Sequence, residues 1–314
     1  MNYKNRLIFL FIIIAVLVFA YAGSFIFNSD TGNVRSALYV WMDSQTAGRV
    51  NRISLNSGWD EFELVKKNDQ WFIIYYYNEY PARQMRVEDF LSVFTTRSAW
   101  PVRSSNDSTY ERFGLGDDAS RITFYGNNQI LLDVLLGYDD IMGRETYFRR
   151  IGQNEVRSGN NSIRTYLSGY ITSWYNLRLI PESEGGSLNS ANVQRLIVNN
   201  NGETQIFSRV NRRWEISGIT AEDPDVNAID SYINFILNAE GEDFVDPFYA
   251  SFMTFDHSYI RLEFGNGSII TINVSEPDEI NKRYAQVSNS EYTYVIPLWV
   301  SLRLFRDAAS FEMQ

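Results

Sequence analysis

The chain has 314 residues, with 28 Lys and Arg against 38 Asp and Glu, one His and no Cys. Lack of Cys excludes disulfides, thiol nucleophiles, thiolate metal sites and lipid attachment at a mature N-terminal Cys, and a single His257 excludes a His-rich metal centre. A net charge of −10 leaves no electrostatic footprint for nucleic acid, and 15% aromatic residues are too many for a disordered chain.

The first element is the uncharged run over residues 7–27, LIFLFIIIAVLVFAYAGSFIF. As a helix it measures about 31 Å, enough to cross a hydrocarbon core of about 30 Å. Lys4 and Arg6 precede it, and Arg35 is the only basic residue in the comparable stretch after it. Positive-inside bias therefore puts the N-terminus in the cytoplasm and the body outside. Ala20-Tyr21-Ala22 also has the small-x-small form of a signal-peptidase site, so export with cleavage near Ala22 is the alternative. Continuation of the apolar run through Phe25, Ile26 and Phe27 favours a retained anchor over residues 1–28.

A connecting segment, 29–49, leads to a first module expected over 50–181. Its β-rich runs at 52–55, 61–65 and 71–77 are separated by Asn56-Ser57-Gly58 and Asn68-Asp69, both turn compositions. The last run, Trp71 to Tyr77, is apolar on both faces of an alternating strand. It is either a central strand covered twice, the favoured reading, or an aromatic patch exposed to a partner. Val87, Phe90, Leu91 and Phe94 then mark one face of an amphipathic helix. A hairpin of 121–125 with 130–136 around Gly126-Asn127-Asn128 follows, then a strand at 146–151. A closing helix is expected to bury Ile163, Tyr166, Leu167, Tyr170, Ile171 and Trp174.

A linker is expected over 182–192, polar and flexible where it begins with Glu182-Ser183-Glu184-Gly185-Gly186-Ser187. The second module, 193–314, repeats the order of elements. Strands at 194–198, 204–209 and 213–216 precede a helix carrying Val226, Ile229, Ile233, Ile236 and Leu237. Asp223 is its expected N-cap, Pro224 its first residue and Gly241 its close. A hairpin of 259–264 with 268–274 around Gly265-Asn266-Gly267, a strand at 284–287 and a less regular closing helix at 298–311 complete it.

Val50-Asn51-Arg52-Ile53 corresponds to Val193-Gln194-Arg195-Leu196, Trp71 to Trp214, and Arg121-Ile122-Thr123-Phe124 to Arg261-Leu262-Glu263-Phe264. A period of about 140 residues is too long for a solenoid and indicates a duplicated domain. The expected fold class is therefore α+β: two tandem related modules, each a β-meander, helix, β-hairpin and strand, and closing helix, behind one transmembrane helix. Charge divides unevenly. Residues 50–184 hold 15 basic and 18 acidic side chains, whereas 185–314 hold 9 and 18, so the second module repels anionic surfaces more strongly.

The meander ending in Trp, the helix, Phe113-Gly114-Leu115, the hairpin ending at Leu136-Gly137 and then Tyr147-Phe148-Arg149-Arg150 together resemble the bacterial domain of unknown function 4340. That family's usual form has Tyr-Gly-Leu, a short Leu/Ile-x-Gly element and a Tyr-Val-Arg-like strand; here Phe113 replaces the Tyr. The resemblance is best over 50–181, and the second copy has no Tyr-Gly-Leu before Arg261. It implies an N-terminally anchored protein of the bacterial cytoplasmic membrane, with its body in the envelope and an association with ABC-type transport of the gliding-motility accessory kind. It implies no catalytic residue.

Motifs that carry chemistry are weak. Asp223-Pro224-Asp225-Val226-Asn227 begins like a calcium loop, but Ala228 stands at the sixth position and Asn234 at the twelfth, so capping explains it. Gly114-Leu115-Gly116 lacks the third Gly of a dinucleotide fingerprint and reads as a turn. Asp139-Asp140, Glu240, Glu242, Asp243 and Asp246 are carboxylate candidates for glycoside hydrolysis, yet all lie in expected loops or helix ends. Asp256-His257-Ser258 are sequence neighbours, not a triad converging from separate segments.

No catalytic, cofactor-binding or metal residue is assigned, no cofactor is expected, and no partner surface is located. The expected function is non-enzymatic: a membrane-anchored extracytoplasmic interaction or scaffold protein with a protein partner in the envelope, ABC transporter components among the candidates, and no nucleic acid. The alternative is an extracytoplasmic glycan, peptide or lipid binding module with an aromatic groove; a carboxylate hydrolase ranks third.

Overall fold

The computed structural model describes residues 38–58, 60–167, 169–181, 188–211, 213–217 and 224–311. The anchor run, Asp223 and residues 182–187 of the linker lie outside them. Among the described residues no helix is long and apolar enough to cross a membrane. The fold is α+β. Contacts divide it into two compact units: residues up to Gln70 with Met85–Gly169, and Trp71–Gln84 with the residues from Tyr170 onward.

In chain order the first part holds β1 (Leu38–Tyr39), α1 (Ser44–Ala47), β2 (Arg52–Asn56), β3 (Glu61–Lys67), β4 (Gln70–Tyr75) and β5 (Asn78–Pro81). Then come α2 (Gln84–Thr95), β6 (Ser98–Ala99), β7 (Val102–Ser104), β8 (Ser120–Gly126), β9 (Gln129–Asp139), β10 (Glu145–Arg150), β11 (Val156–Asn160) and α3 (Arg164–Leu167).

Within the first unit the antiparallel order is β3-β2-β8-β9-β10-β11-β7. Alternation decides its faces: Ile53, Leu55, Phe62 and Leu64 are buried from β2 and β3, while the residues between them stay partly open. The β8–β9 turn is Asn127-Asn128, both with positive φ, which the short polar side chain of Asn tolerates and a tight hairpin demands. Over this sheet α2 lays Val87, Phe90 and Phe94; the Phe94 ring sits 4.8 Å from that of Phe124. A second cluster joins Trp41, Trp100 and Phe148, with Trp100 and Phe148 at 5.0 Å.

The second part adds β12 (Val193–Asn200), β13 (Glu203–Val210), β14 (Arg213–Ser217), α4 (Val226–Leu237), β15 (Asp243–Phe244) and α5 (Pro247–Ala250). It ends with β16 (Ser258–Phe264), β17 (Ile269–Val274), β18 (Arg283–Val287), β19 (Thr293–Ile296) and α6 (Leu298–Leu304). Strand order in the second unit is β14-β13-β12-β16-β17-β18-β19-β15. Element for element, β13-β12-β16-β17-β18-β19-β15 repeats the first unit's order, with the strand that follows the helix again at the far edge. Helix α4 buries Ile229, Tyr232, Ile233, Ile236 and Leu237, and Trp214 Nε1 donates to Asp230 at 3.1 Å.

Several expectations need correction. The cap of α4 is Asp225, whose carboxylate accepts from Asn227 N at 2.9 Å and Ala228 N at 3.1 Å. The helix stops at Asn238, and Gly241 serves elsewhere: its N–H donates to Leu177 O, and a Cβ there would lie 2.8 Å from Val295 O. The closing helix of the first module is broken into a 3-10 turn at Asn161–Ile163, α3, and another 3-10 turn at Ile171–Ser173. Gly169 in mid-pattern costs a helix about 1 kcal/mol, and Tyr170, expected inside, is exposed. The second closing helix ends at Leu304, before a 3-10 turn at Ala308–Phe311. Strand β4 ends at Tyr75, so Tyr76 and Tyr77 form a turn.

Replacing Asp225→Ala removes the one carboxylate oxygen that accepts both capping hydrogen bonds and is expected to lower unfolding stability by about 1 kcal/mol in chemical denaturation.

Candidate interaction surface

In the first unit, the segment Phe113-Gly114-Leu115 is pressed against Leu136-Gly137-Tyr138. Gly114 ends a 3-10 turn in the left-handed conformation at φ +67, and the Tyr138 ring covers it so closely that a Cβ would sit 2.7 Å away. At Gly137 a Cβ would meet Phe113 O at 1.9 Å. Leu115 is buried, the rings of Phe113 and Tyr147 lie 4.6 Å apart, and Arg164 donates to Gly137 O and, at 2.8 Å, to Asp139. These residues make a close backbone seam.

Beside the seam lies a cavity of about 950 Å³. Arg121, Leu135 and Arg149 face one another across β8, β9 and β10 on its floor. Arg121 pairs bidentately with Asp133 at 2.9 and 2.5 Å, and Arg149 stacks 4.2 Å over the Tyr110 ring. Glu111 and Asp117 on the wall make its charge mixed.

The second unit carries a different surface, and it starts from a turn. Tyr76 and Tyr77 occupy the two-residue loop between β4 and β5 with φ of 43 and 68. Bulky residues are strained there, at roughly 1–2 kcal/mol each. Both rings are nonetheless turned outward, at 76% and 102% exposure. Asn78 Nδ2, next in the chain, donates to Asp246 at 3.1 Å. Asp246 caps α5 through Phe248 N at 2.9 Å, with Pro247 at the first position of the helix. On and after α5, Phe248, Tyr249 and Phe252 are all exposed, their rings edge to face at 5.2–5.5 Å.

Beneath this surface the rings close up. Tyr80 stacks on Phe244 at 4.9 Å and 14°, and Tyr175, Tyr292 and Tyr294 pack around Phe244. A cavity of about 470 Å³ opens here, lined in part by Tyr77, Tyr80, Tyr292, Glu79 and Glu291, with Pro247 and Ala250 from α5. Burial, then the Glu291 and Glu79 carboxylates, pushes the Tyr292 hydroxyl above its usual range. Burial, then Asp246 and Asp243, does the same to Tyr80, and burial raises Asp243 itself. The site is an aromatic cavity with carboxylates at its wall.

The carboxylates singled out from the sequence serve as caps and ion pairs. Asp139 accepts from Thr146 Oγ1 at 2.6 Å and from Arg164. Asp140 accepts the backbone N–H groups of Glu145 and Arg144, which hold its carboxyl below the usual range. Glu240 pairs with Arg83 at 2.9 Å and Glu242 with Lys282 at 3.2 Å. Only Asp243 and Asp246 come to the aromatic surface. His257 is exposed in a bend, and Ser258 Oγ donates to Asn201 Oδ1 at 3.1 Å, bracing the β12–β13 turn. Among the described residues no group of three or more His, Asp or Glu is placed to hold a metal ion. Sequence reading missed Phe248, Tyr249 and Phe252; the cap-and-proline signature Asp246-Pro247 before an apolar run was the available signal.

Substituting Gly137→Ala forces the seam apart and is expected to cost about 1–3 kcal/mol of stability, whereas Gly48→Ala, whose Cβ would meet nothing nearer than 3.5 Å, leaves melting within experimental error. Asp243 has a folded pKa above its ordinary 3.8, so it stabilises as the neutral acid at low pH and loses that stabilisation as pH rises through the elevated value. Asp243→Asn should therefore raise the melting temperature at pH 7, with the gain vanishing as pH falls below about 4.

No curated protein and no solved structure matches the chain. A family described as a domain of unknown function (DUF4340) matches residues 71–247, over half of the chain. The match begins at β4 rather than at residue 50 and runs past 181, through α4 to Pro247 at the start of α5. On that match, the chain belongs to the DUF4340 family.

Proposed function

We propose that the chain is a membrane-anchored, extracytoplasmic interaction subunit of a bacterial envelope complex, and that the aromatic surface of its second unit receives a protein partner. The observation that carries this reading is the Tyr76-Tyr77 turn: two strained residues hold mostly solvent-facing rings, and Tyr76 rests only on the Tyr75 ring at 4.4 Å. Asn-Gly would make the same turn without strain. Phe248, Tyr249 and Phe252 enlarge the patch, in a composition typical of interface anchors. The uncharged run 7–27 supports the anchor, and Lys4 and Arg6 before it support an extracytoplasmic body. Shared strand order in the two units supports a duplicated module. The role is a contact role beside a membrane complex, an ABC-type transporter being the leading candidate. The cavity of about 470 Å³ favours a second reading, a binding module for a glycan, peptide or lipid.

Turn relief separates binding from folding. The double variant Tyr76→Asn, Tyr77→Gly relieves strain at both positions but loses the Tyr75–Tyr76 ring contact and adds unfolded-state entropy at Gly, and is expected to gain about 1–2 kcal/mol net in unfolding stability. It should also lose the envelope protein captured in cells by a photocrosslinking residue placed at position 252. Crosslinks to no membrane or envelope protein, or capture unchanged in the turn variant, would count against the reading.

A further inference from the structure

The turn that joins β9 to β10 in the first unit holds two large apolar side chains in water: Ile141 is 106% exposed and Met142 68%. The turn is fixed by its own hydrogen bonds. Asp140 N donates to Glu145 O at 2.8 Å and Gly143 N to Asp140 O at 2.9 Å, while Asp140 Oδ1 accepts from Arg144 N and Glu145 N at 2.6 and 3.0 Å. Asn161 Nδ2 donates to Gly143 O from the neighbouring segment. Tyr138, just before the turn, is exposed as well. Acids around the tip are already compensated, Asp139 by Arg164 and Glu145 by Arg103. An apolar tip on a fixed turn, with a tyrosine behind it and its ions paired, suits the boundary between lipid headgroups and acyl chains.

With the run 7–27 in a membrane, a short tether keeps this end of the unit near the bilayer. Ten residues, 28–37, separate that run from Leu38 in β1, and fully extended they reach about 35 Å. The chain enters at the end of the sheet that carries the turn. Leu38, itself exposed, pairs with Ala99; Trp100, next in the chain, lies against Gly159, and Gly159 pairs with Thr146 near the start of β10. Ile130, at the other end of β9, is about 30 Å from the turn. Residues 50–184 hold 15 basic against 18 acidic side chains, so this module is the one less repelled by anionic lipid.

We infer that the β9–β10 turn dips Ile141 and Met142 into the lipid surface beside the anchor and so fixes the first unit against the bilayer. The inference rests on the anchor reading above and adds a second membrane contact, made by the folded body.

A chain without Cys accepts a single spin label at any chosen position. Full-length Leu17→Cys, Met142→Cys and Ile130→Cys variants, each labelled and reconstituted in nanodiscs of phosphatidylethanolamine and phosphatidylglycerol, test the inference by collision with oxygen and with a water-soluble nickel chelate. Labels at 17 and 142 are expected to lose collisions with nickel and keep those with oxygen, whereas the label at 130 keeps nickel. Adding Ile141→Asp, at a side chain that lies wholly in water in the fold, should return the label at 142 to nickel. A label at 142 as open to nickel as that at 130, or one unmoved by Ile141→Asp, would overturn the lipid contact and leave the anchor standing. Shielding of 142 from both probes would put a protein surface there, a second copy of the chain, and would overturn it too. A label at 17 open to nickel would remove the anchor reading and this inference with it.

Discussion

Each unit depends on burying the apolar face of an antiparallel sheet beneath one twelve-residue helix, α2 in the first and α4 in the second. A sheet with alternating residues has one face to hide, and a helix of three turns supplies a stripe about wide enough to hide it. Phe90 and Phe94 do this over Phe124, and Ile229, Tyr232, Ile233 and Ile236 do it in the second unit. Burial of side chains this large is worth about 1.5–3 kcal/mol each before chain entropy is charged against it. Ion pairs on the opposite face, such as Arg52 with Glu63 and Arg121 with Asp133, are partly solvated and add less.

With the helices committed to the core, exposed chemistry falls to turns and short segments between strands. In the first unit that position is taken by the seam of Phe113-Gly114-Leu115 against Leu136-Gly137-Tyr138, where two glycines allow backbone and ring to approach more closely than any side chain would permit. The motif is thus explained by packing. In the second unit the corresponding freedom is used to hold aromatic rings in water, and beneath them burial, then nearby carboxylates, raises the Tyr80 and Tyr292 hydroxyl titrations. Strain at Tyr76 and Tyr77 and desolvation at Asp243 are both stability costs gathered within one surface.

Much of the architecture was legible from residue pattern. Period-two alternation located β2, β3, β12 and β13, and the helix period located α2 and α4, because a buried face imposes its spacing on the sequence. Asn127-Asn128 and Asn68-Asp69 were legible as turns because few other residues accept positive φ. Short edge strands such as β7 and β15 were not, since two or three residues carry no period. The break at Gly169 was missed because the apolar stripe continues across it, and the cap of α4 was displaced by two residues because Asp223 and Asp225 are locally equivalent candidates.

By itself, then, the sequence determined the mixed class, the order of elements, the uncharged N-terminal run and the absence of thiol chemistry, since each follows from local composition or spacing. Tertiary structure alone decided that the hairpin of β4 and β5 is grouped with the second unit, that its tyrosines turn outward, and that Glu79, Tyr80, Glu291 and Tyr292 meet at one cavity. Those residues are separated by about two hundred positions, and their meeting depends on strand order and register, which no local pattern encodes.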